Sequence, residues 1–281
     1  MIVLDYEKPS KNSISPNKGE DNEKLWFAGR GLKMYSLKIR YTASVFVDAE
    51  SIIPNARNIT GLMNALGDEV LLPKTVEEQS PAGVLPRISF NTADGEWQFL
   101  LLSKQFTLIH SATVPDGSNL GDFSTFCRNA IPKLTTALNY FQRKAHRLAA
   151  SQEGFLSEMT QTEMENIAFR LMKFPSIYSK QFPFEWNWRS AALIEREFGG
   201  IQEITNMITT VSKLLGYLTE TRTEGIAQSL FDRIMVNFEI NTSANNVIAR
   251  FDDLHLAGFF EQSGLWHNEL SSEIFEFILK G

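Results

Sequence analysis

"YSLKIRYTASVFV", residues 35–47, decides how this chain folds. Tyr35, Leu37, Ile39, Tyr41, Ala43, Val45 and Val47 take every odd position, and Ser36, Lys38, Arg40, Thr42 and Ser44 lie between them. A period of two over this length predicts a strand with one buried face. A helix would bring its apolar residues back every three or four positions instead.

The same alternation recurs downstream. "PRISFNTADGEWQFLLLSKQFTLIHSATV" predicts three antiparallel strands, reversing at Ala93-Asp94-Gly95 and again at Ser103-Lys104-Gln105. "KAHRLAASQEGFL" (144–156), "ITNMITTVSKLL" (204–215) and "RIMVNFEINTS" (233–243) read as strands too. In "FPFEWNWRS" (182–190), which continues into "SAALIERE", Phe182, Phe184, Trp186 and Trp188 face one way, and Glu185, Asn187 and Arg189 the other.

Helical spacing marks the remaining elements. Residues 58–66 read as a short helix, with Asn58 as its N-cap and Gly67 as its stop. Phe123, Phe126, Cys127, Ala130, Leu134, Ala137, Leu138 and Phe141 form one stripe behind a capping Asp122, with Pro132 inside. "TEMENIAFRLMKF" (162–174) gives another helix. A helix through Val247, Phe251, Leu254 and Phe259 and a separate one through Leu270, Ile274, Phe277 and Ile278 close the chain. Residues 68–84, holding Pro73 and Pro81, read as loop.

The expected class is therefore α+β: two βαβββα-like units, with antiparallel curved sheet or sheets covered by long helices, plus an extra C-terminal helix. The boundaries are a flexible N-terminal tail at 1–33, a first unit at 34–143 and a second at 144–281, which could also form one continuous domain. Residues 7–24, polar and without apolar periodicity, carry the tail assignment.

The chain has 281 residues, 43% of them hydrophobic and 21% charged, enough for a sizeable core. A net charge of -6 argues against non-specific binding to phosphate backbones, which needs a basic field. Cys127 is the single cysteine, so an intrachain disulfide and a thiolate metal cluster are excluded. With no secretory leader and no apolar run near ~18 residues, the expectation is a cytoplasmic protein that does not engage a membrane.

Catalytic signatures are sparse. "FAGRGLK" lacks the spacing of a phosphate-binding loop, no nucleophile elbow occurs, and His110, His146, His255 and His267 are dispersed. Neither a metal nor a cofactor is expected. In "RFDDLH", Arg250 and His255 stand at a spacing found in metal-independent ribonucleases, where histidine acts as base and arginine steadies the phosphate. A core or boundary histidine on an apolar stripe explains His255 better. In "QRKAHR", Arg143, Lys144 and Arg147 are the candidate nucleic-acid contacts, although cations at a helix C-terminus also complement its carbonyl end. Glu185, Asn187 and Arg189 form the polar row of their strand and are the candidate partner contacts.

Three segments, "NTADGEWQFLLLSKQFTLI", "ALNYFQRKAHRLA" and "VNFEINTSANNVIARF", carry a resemblance. The chain resembles a sporadically distributed group of uncharacterised bacterial proteins found among mobile and defence-related genes. The tail before Tyr35 departs from the short Pro-rich lead of that group. The resemblance implies an antiphage or toxin–antitoxin context and carries over no catalytic residue. The sequence thus points to a non-enzymatic protein-binding or regulatory component whose partner is another protein, either a second copy or an operon partner. Two alternatives stand beside it: a ribonuclease or other phosphodiesterase using Arg250 and His255, and a nucleic-acid-binding module on a curved sheet.

Overall fold

The computed structural model describes residues 4–5, 35–67, 70–81, 83–222 and 225–280. In chain order the strands are β1 (Leu4–Asp5), β2 (Leu37–Phe46), β3 (Leu72–Ser80), β4 (Gly83–Asn91), β5 (Trp97–Leu101), β6 (Gln105–Ser111), β7 (Arg147–Phe155), β8 (Trp186–Phe198), β9 (Ile201–Arg222) and β10 (Gly225–Thr242). The helices are α1 (Ala56–Leu66), α2 (Phe123–Tyr140), α3 (Gln161–Leu171) and α4 (Asp253–Lys280). Apart from Leu4–Asp5, the tail expected at 1–33 lies outside the described residues.

All ten strands belong to one open antiparallel sheet in the order β3-β4-β5-β6-β2-β7-β10-β9-β8, with β1 beside β8 on the outer side of β9. The period-two stretch at 37–46 holds the centre, pairing β6 on one side and β7 on the other. A central strand needs a continuous buried row, and Tyr41, Ala43 and Val45 supply it. Outward from the β2–β7 seam the chain runs backwards on both sides, through β6, β5, β4, β3 and through β10, β9, β8.

The helices begin where side chains satisfy their first free N–H groups. Asp122 accepts from Thr125 N at 2.8 Å, and Thr160 and Glu163 form a reciprocal capping box at α3. Asn55 rather than Asn58 caps α1, accepting from Asn58 N at 2.8 Å, and Gly67 ends that helix at φ 59°. All four helices lie on one face of the sheet. Leu62, Phe126, Leu134, Phe259 and Phe260 pack on Tyr41, Val45, Phe99 and Leu108, while Met164, Ile167 and Phe275 pack on Val211, Val236 and Phe238. The larger cluster draws on both sides of the seam, joining Leu108 and Phe126 to Ile240 and Leu256.

The expected fold, two βαβββα-like units with an extra C-terminal helix, is contradicted: one open sheet takes up every described strand with four helices on it, and three local readings are corrected. The first half is βαββββα, because residues 72–80, read as loop, form β3. The strand containing Trp186 starts there, not at Phe182, which instead packs on Phe169 and Phe174 at 5.2 and 5.0 Å between ring centres. The two terminal helices are one 28-residue helix that begins at Asp253, leaving Val247 and Ile248 exposed outside it.

Candidate functional site

Helices on one side leave the other side of the sheet uncovered. Strand alternation and register assign its residues. Arg40, Thr42, Ser44 and Phe46 on β2 stand beside Gln105, Thr107, Ile109 and Ser111 on β6, and beside Arg147, Ala149, Ser151 and Glu153 on β7. Asn237, Glu239 and Asn241 on β10 and Asn206, Ile208, Thr210 and Ser212 on β9 extend the same surface. Its few apolar members, such as Ile109 and Ile208, belong to neither core cluster. The polar half of each alternating stretch thus becomes one broad face of short hydrogen-bonding side chains, with Ser44, Thr107, Ser212 and Asn241 buried and Thr42, Thr210, Asn237 and Glu239 half-buried.

These side chains bond to one another across the strands. Asn206 Nδ2 donates to Asn241 Oδ1 at 2.8 Å, and Asn241 Nδ2 donates to Glu239 Oε1 at 2.6 Å. Arg147 reaches the same Glu239 oxygen at 3.7 Å while its guanidinium stacks 4.5 Å from the Phe46 ring centre. Ser44 and Thr107 hydroxyls bond at 2.9 Å, and Asn187 Nδ2 donates to Ser212 Oγ at 2.6 Å. Arg40 pairs with Glu153, and Arg233 with Glu158. Three arginines and three carboxylates on this face therefore cancel locally. A neutral, preorganised polar surface suits hydrogen-bonding groups of another protein better than a polyphosphate backbone, which rewards excess cation.

The residues singled out in the sequence fall at separate places. Arg250 is held by Glu203 Oε2 at 2.9 Å and by the carbonyl oxygens of His146, Asn246 and Ile248 at 2.5, 3.0 and 3.3 Å. His255 Nδ1 meets Asp252 Oδ1 at 2.6 Å within the first turn of α4. Each is committed to fixing the chain's path from β10 into α4. Arg143 donates to Ser51 Oγ at 2.8 Å, Lys144 is exposed, and Arg147 belongs to the sheet face. Burial lowers the His146 pKa, and the cations of Arg250, Arg147 and Lys104 push it the same way against Asp48. Asn187 and Arg189 lie on the helix-free side of β8, while Glu185 precedes the strand.

Sequence reasoning missed Asn206, Thr210, Asn237 and Glu239 as a surface. The signal was present in the polar positions between the apolar ones, but only the order of strands shows that they adjoin. Among the described residues no group of three or more histidine, cysteine or acidic side chains is placed to hold a metal ion. No described helix is long and apolar enough to cross a membrane. No protein-family sequence model matches this chain, and no curated protein sequence matches it either.

Proposed function

We propose that this chain is a non-enzymatic binding protein that takes another protein onto the helix-free face of its sheet. The observation that carries the reading is the cross-strand polar network Asn206–Asn241–Glu239–Arg147 on the helix-free face, neutral in charge, with Asn206, Glu239 and Arg147 half-buried and Asn241 fully buried. Prepaired side chains lose little conformational freedom when a partner docks, which favours recognition over loose contact. The structural commitments of Arg250 and His255 weigh against the phosphodiesterase alternative. A cytoplasmic role as a regulatory component of an antiphage or toxin–antitoxin system is the setting we assign it, by the resemblance described above.

The test is affinity capture from the native host with three baits. Thr42→Arg and Thr210→Arg place a bulky cation within the polar face, and Glu261→Arg alters an exposed position on α4. A protein captured by the wild type and by Glu261→Arg, but lost with both face variants, supports the reading. Capture that survives Thr42→Arg and Thr210→Arg sinks it. Nucleic acid as the captured species, released steeply by salt and weakened by Arg143→Ala/Lys144→Ala, would install the nucleic-acid alternative instead.

A further inference from the structure

The sheet ends in two unlike edges. At one end β3 carries Pro73, Lys74, Glu77 and Glu78, the charges and the missing N–H by which edge strands resist pairing. At the other end β8 runs 13 residues without proline and pairs β9 without a register shift. Its middle, Ser190-Ala191-Ala192-Leu193, is small and exposed, and Leu193 is 69% exposed on the helix-free side. Among the described residues no strand pairs the outer side of β8.

The hairpin fixes which backbone groups that edge offers. Phe198 pairs Ile201 across Gly199-Gly200, both at positive φ, so Phe198 and every second residue before it bond inward to β9. Asn187, Arg189, Ala191, Leu193, Glu195 and Glu197 therefore turn their N–H and C=O groups outward. An antiparallel copy of β8 centred on Ala192 sets these residues against each other: Ala191 opposite Leu193, Arg189 opposite Glu195, and Asn187 opposite Glu197. Only a register centred on a residue, rather than between two, matches outward groups to outward groups. The centre at Ala192 is the one that pairs the whole strand. It also places two opposite-charge pairs across the junction, and neither Arg189 nor Glu195 has an ion pair among the described residues.

We propose that two copies of this chain pair through their β8 edges, antiparallel and centred on Ala192, so that one sheet continues into the other. The junction forms about twelve backbone hydrogen bonds. A two-fold axis through Ala192 keeps both helix-free faces on the same side, so the copies present one continuous polar surface. The inference rests on the strand edge and stands whether or not that surface binds a partner.

Sedimentation velocity of the full chain tests it. Wild type forms a dimer, and Arg189→Glu weakens that dimer by roughly tenfold or more, because two attractive cross-strand pairs become repulsive. Arg189→Glu/Glu195→Arg restores the wild-type affinity. Under mild oxidation Ala192→Cys links the copies, since a non-hydrogen-bonded antiparallel pair holds its Cα atoms about 4.5 Å apart, within disulfide reach. Leu193→Cys, displaced from the axis, does not, and the native Cys127 is buried and cannot compete. A monomer at every soluble concentration overturns the proposal. So does a dimer indifferent to Arg189→Glu, a charge-swapped double variant as weak as the single one, or an Ala192→Cys protein that stays uncrosslinked. Wild-type pairing of β8 with residues 6–34 of its own chain would appear as such a monomer.

Discussion

His267 should make this protein sensitive to mild acid. It lies on α4 with its ring 4.6 Å from that of Phe123 and 5.3 Å from that of Phe238, and it is 2% exposed. Neither ring nitrogen has a hydrogen bond of good geometry. Burial drives its pKa down to about 3, against a smaller upward pull from the adjacent Asn268 side chain. In the unfolded chain the imidazole titrates near its ordinary value of about 6.5. Between those values the unfolded state holds a proton that the folded state does not, so stability rises with pH across that window and falls on acidification. At about 1.4 kcal/mol per unit, with partial titration near the upper limit, roughly 2 kcal/mol is lost between pH 7 and pH 5. His267→Leu removes the titrating group and two poorly bonded polar atoms. It should gain about 1 kcal/mol or more at neutral pH and abolish this part of the pH slope. Urea denaturation followed by tryptophan fluorescence at pH 7, 6 and 5 measures both proteins. Parallel loss of stability in wild type and variant would refute the reasoning, because the slope would then belong to other groups.

Three further outcomes follow from the packing. Arg250→Ala strips Glu203 and three carbonyl oxygens of their donor, with the two ionic side chains 18% and 13% exposed; it should lower unfolding free energy by about 2–3 kcal/mol in chemical denaturation. Gly258→Ala drives a Cβ into the backbone N of Gly199 and to 2.9 Å from its Cα, so α4 must lift from the β8–β9 turn at about 1–3 kcal/mol, visible as a lower Tm. Asp122→Ala removes the α2 cap at Thr125 N and should cost about 1 kcal/mol by the same denaturation assay.

How much of this was legible depends on how local each cause was. The strand read at 35–47 and found at 37–46, the three strands read within 86–114 and found over 83–111, the Asp122 cap and the Gly67 stop all follow from neighbouring residues. The strand β3 was hidden by Pro73 and three charged residues, Lys74, Glu77 and Glu78, that mimic a loop. Its Ser80–Gly83 hairpin turns Pro73 outward, where no N–H is needed, and only its place at the sheet edge makes that composition acceptable. The continuity of α4 was hidden by Ser263 and Gly264, which fall between the two helices read and look like a break, and Gly258 adds a second weak point. The two glycines are there because the helix axis passes close to Gly199 and Ser124, a reason that exists only in the packed state. Phe182 and Phe184 continued the alternation of Trp186 and Trp188, yet the ring of Phe182 is drawn to Phe169 and Phe174 before the strand begins. The polar face was half legible. Each strand shows its own row, but the Asn206–Asn241–Glu239–Arg147 track needs the order β9-β10-β7, which no single stretch encodes.

The central claim is that the half-buried side chains of the helix-free face, Thr42 and Asn237 among them, are within reach of solvent in the isolated protein and are what a partner covers. Thiol labelling of Thr42→Cys and Asn237→Cys, against the buried neighbours Ala43→Cys and Val236→Cys, tests it most directly, with the buried native Cys127 as internal reference. The account predicts fast modification at 42 and 237, protection at 43, 236 and 127, and slowing at 42 and 237 alone once the captured partner is bound. Equal protection of both rows in the isolated chain, or partner binding that leaves 42 and 237 as reactive as before, would contradict it.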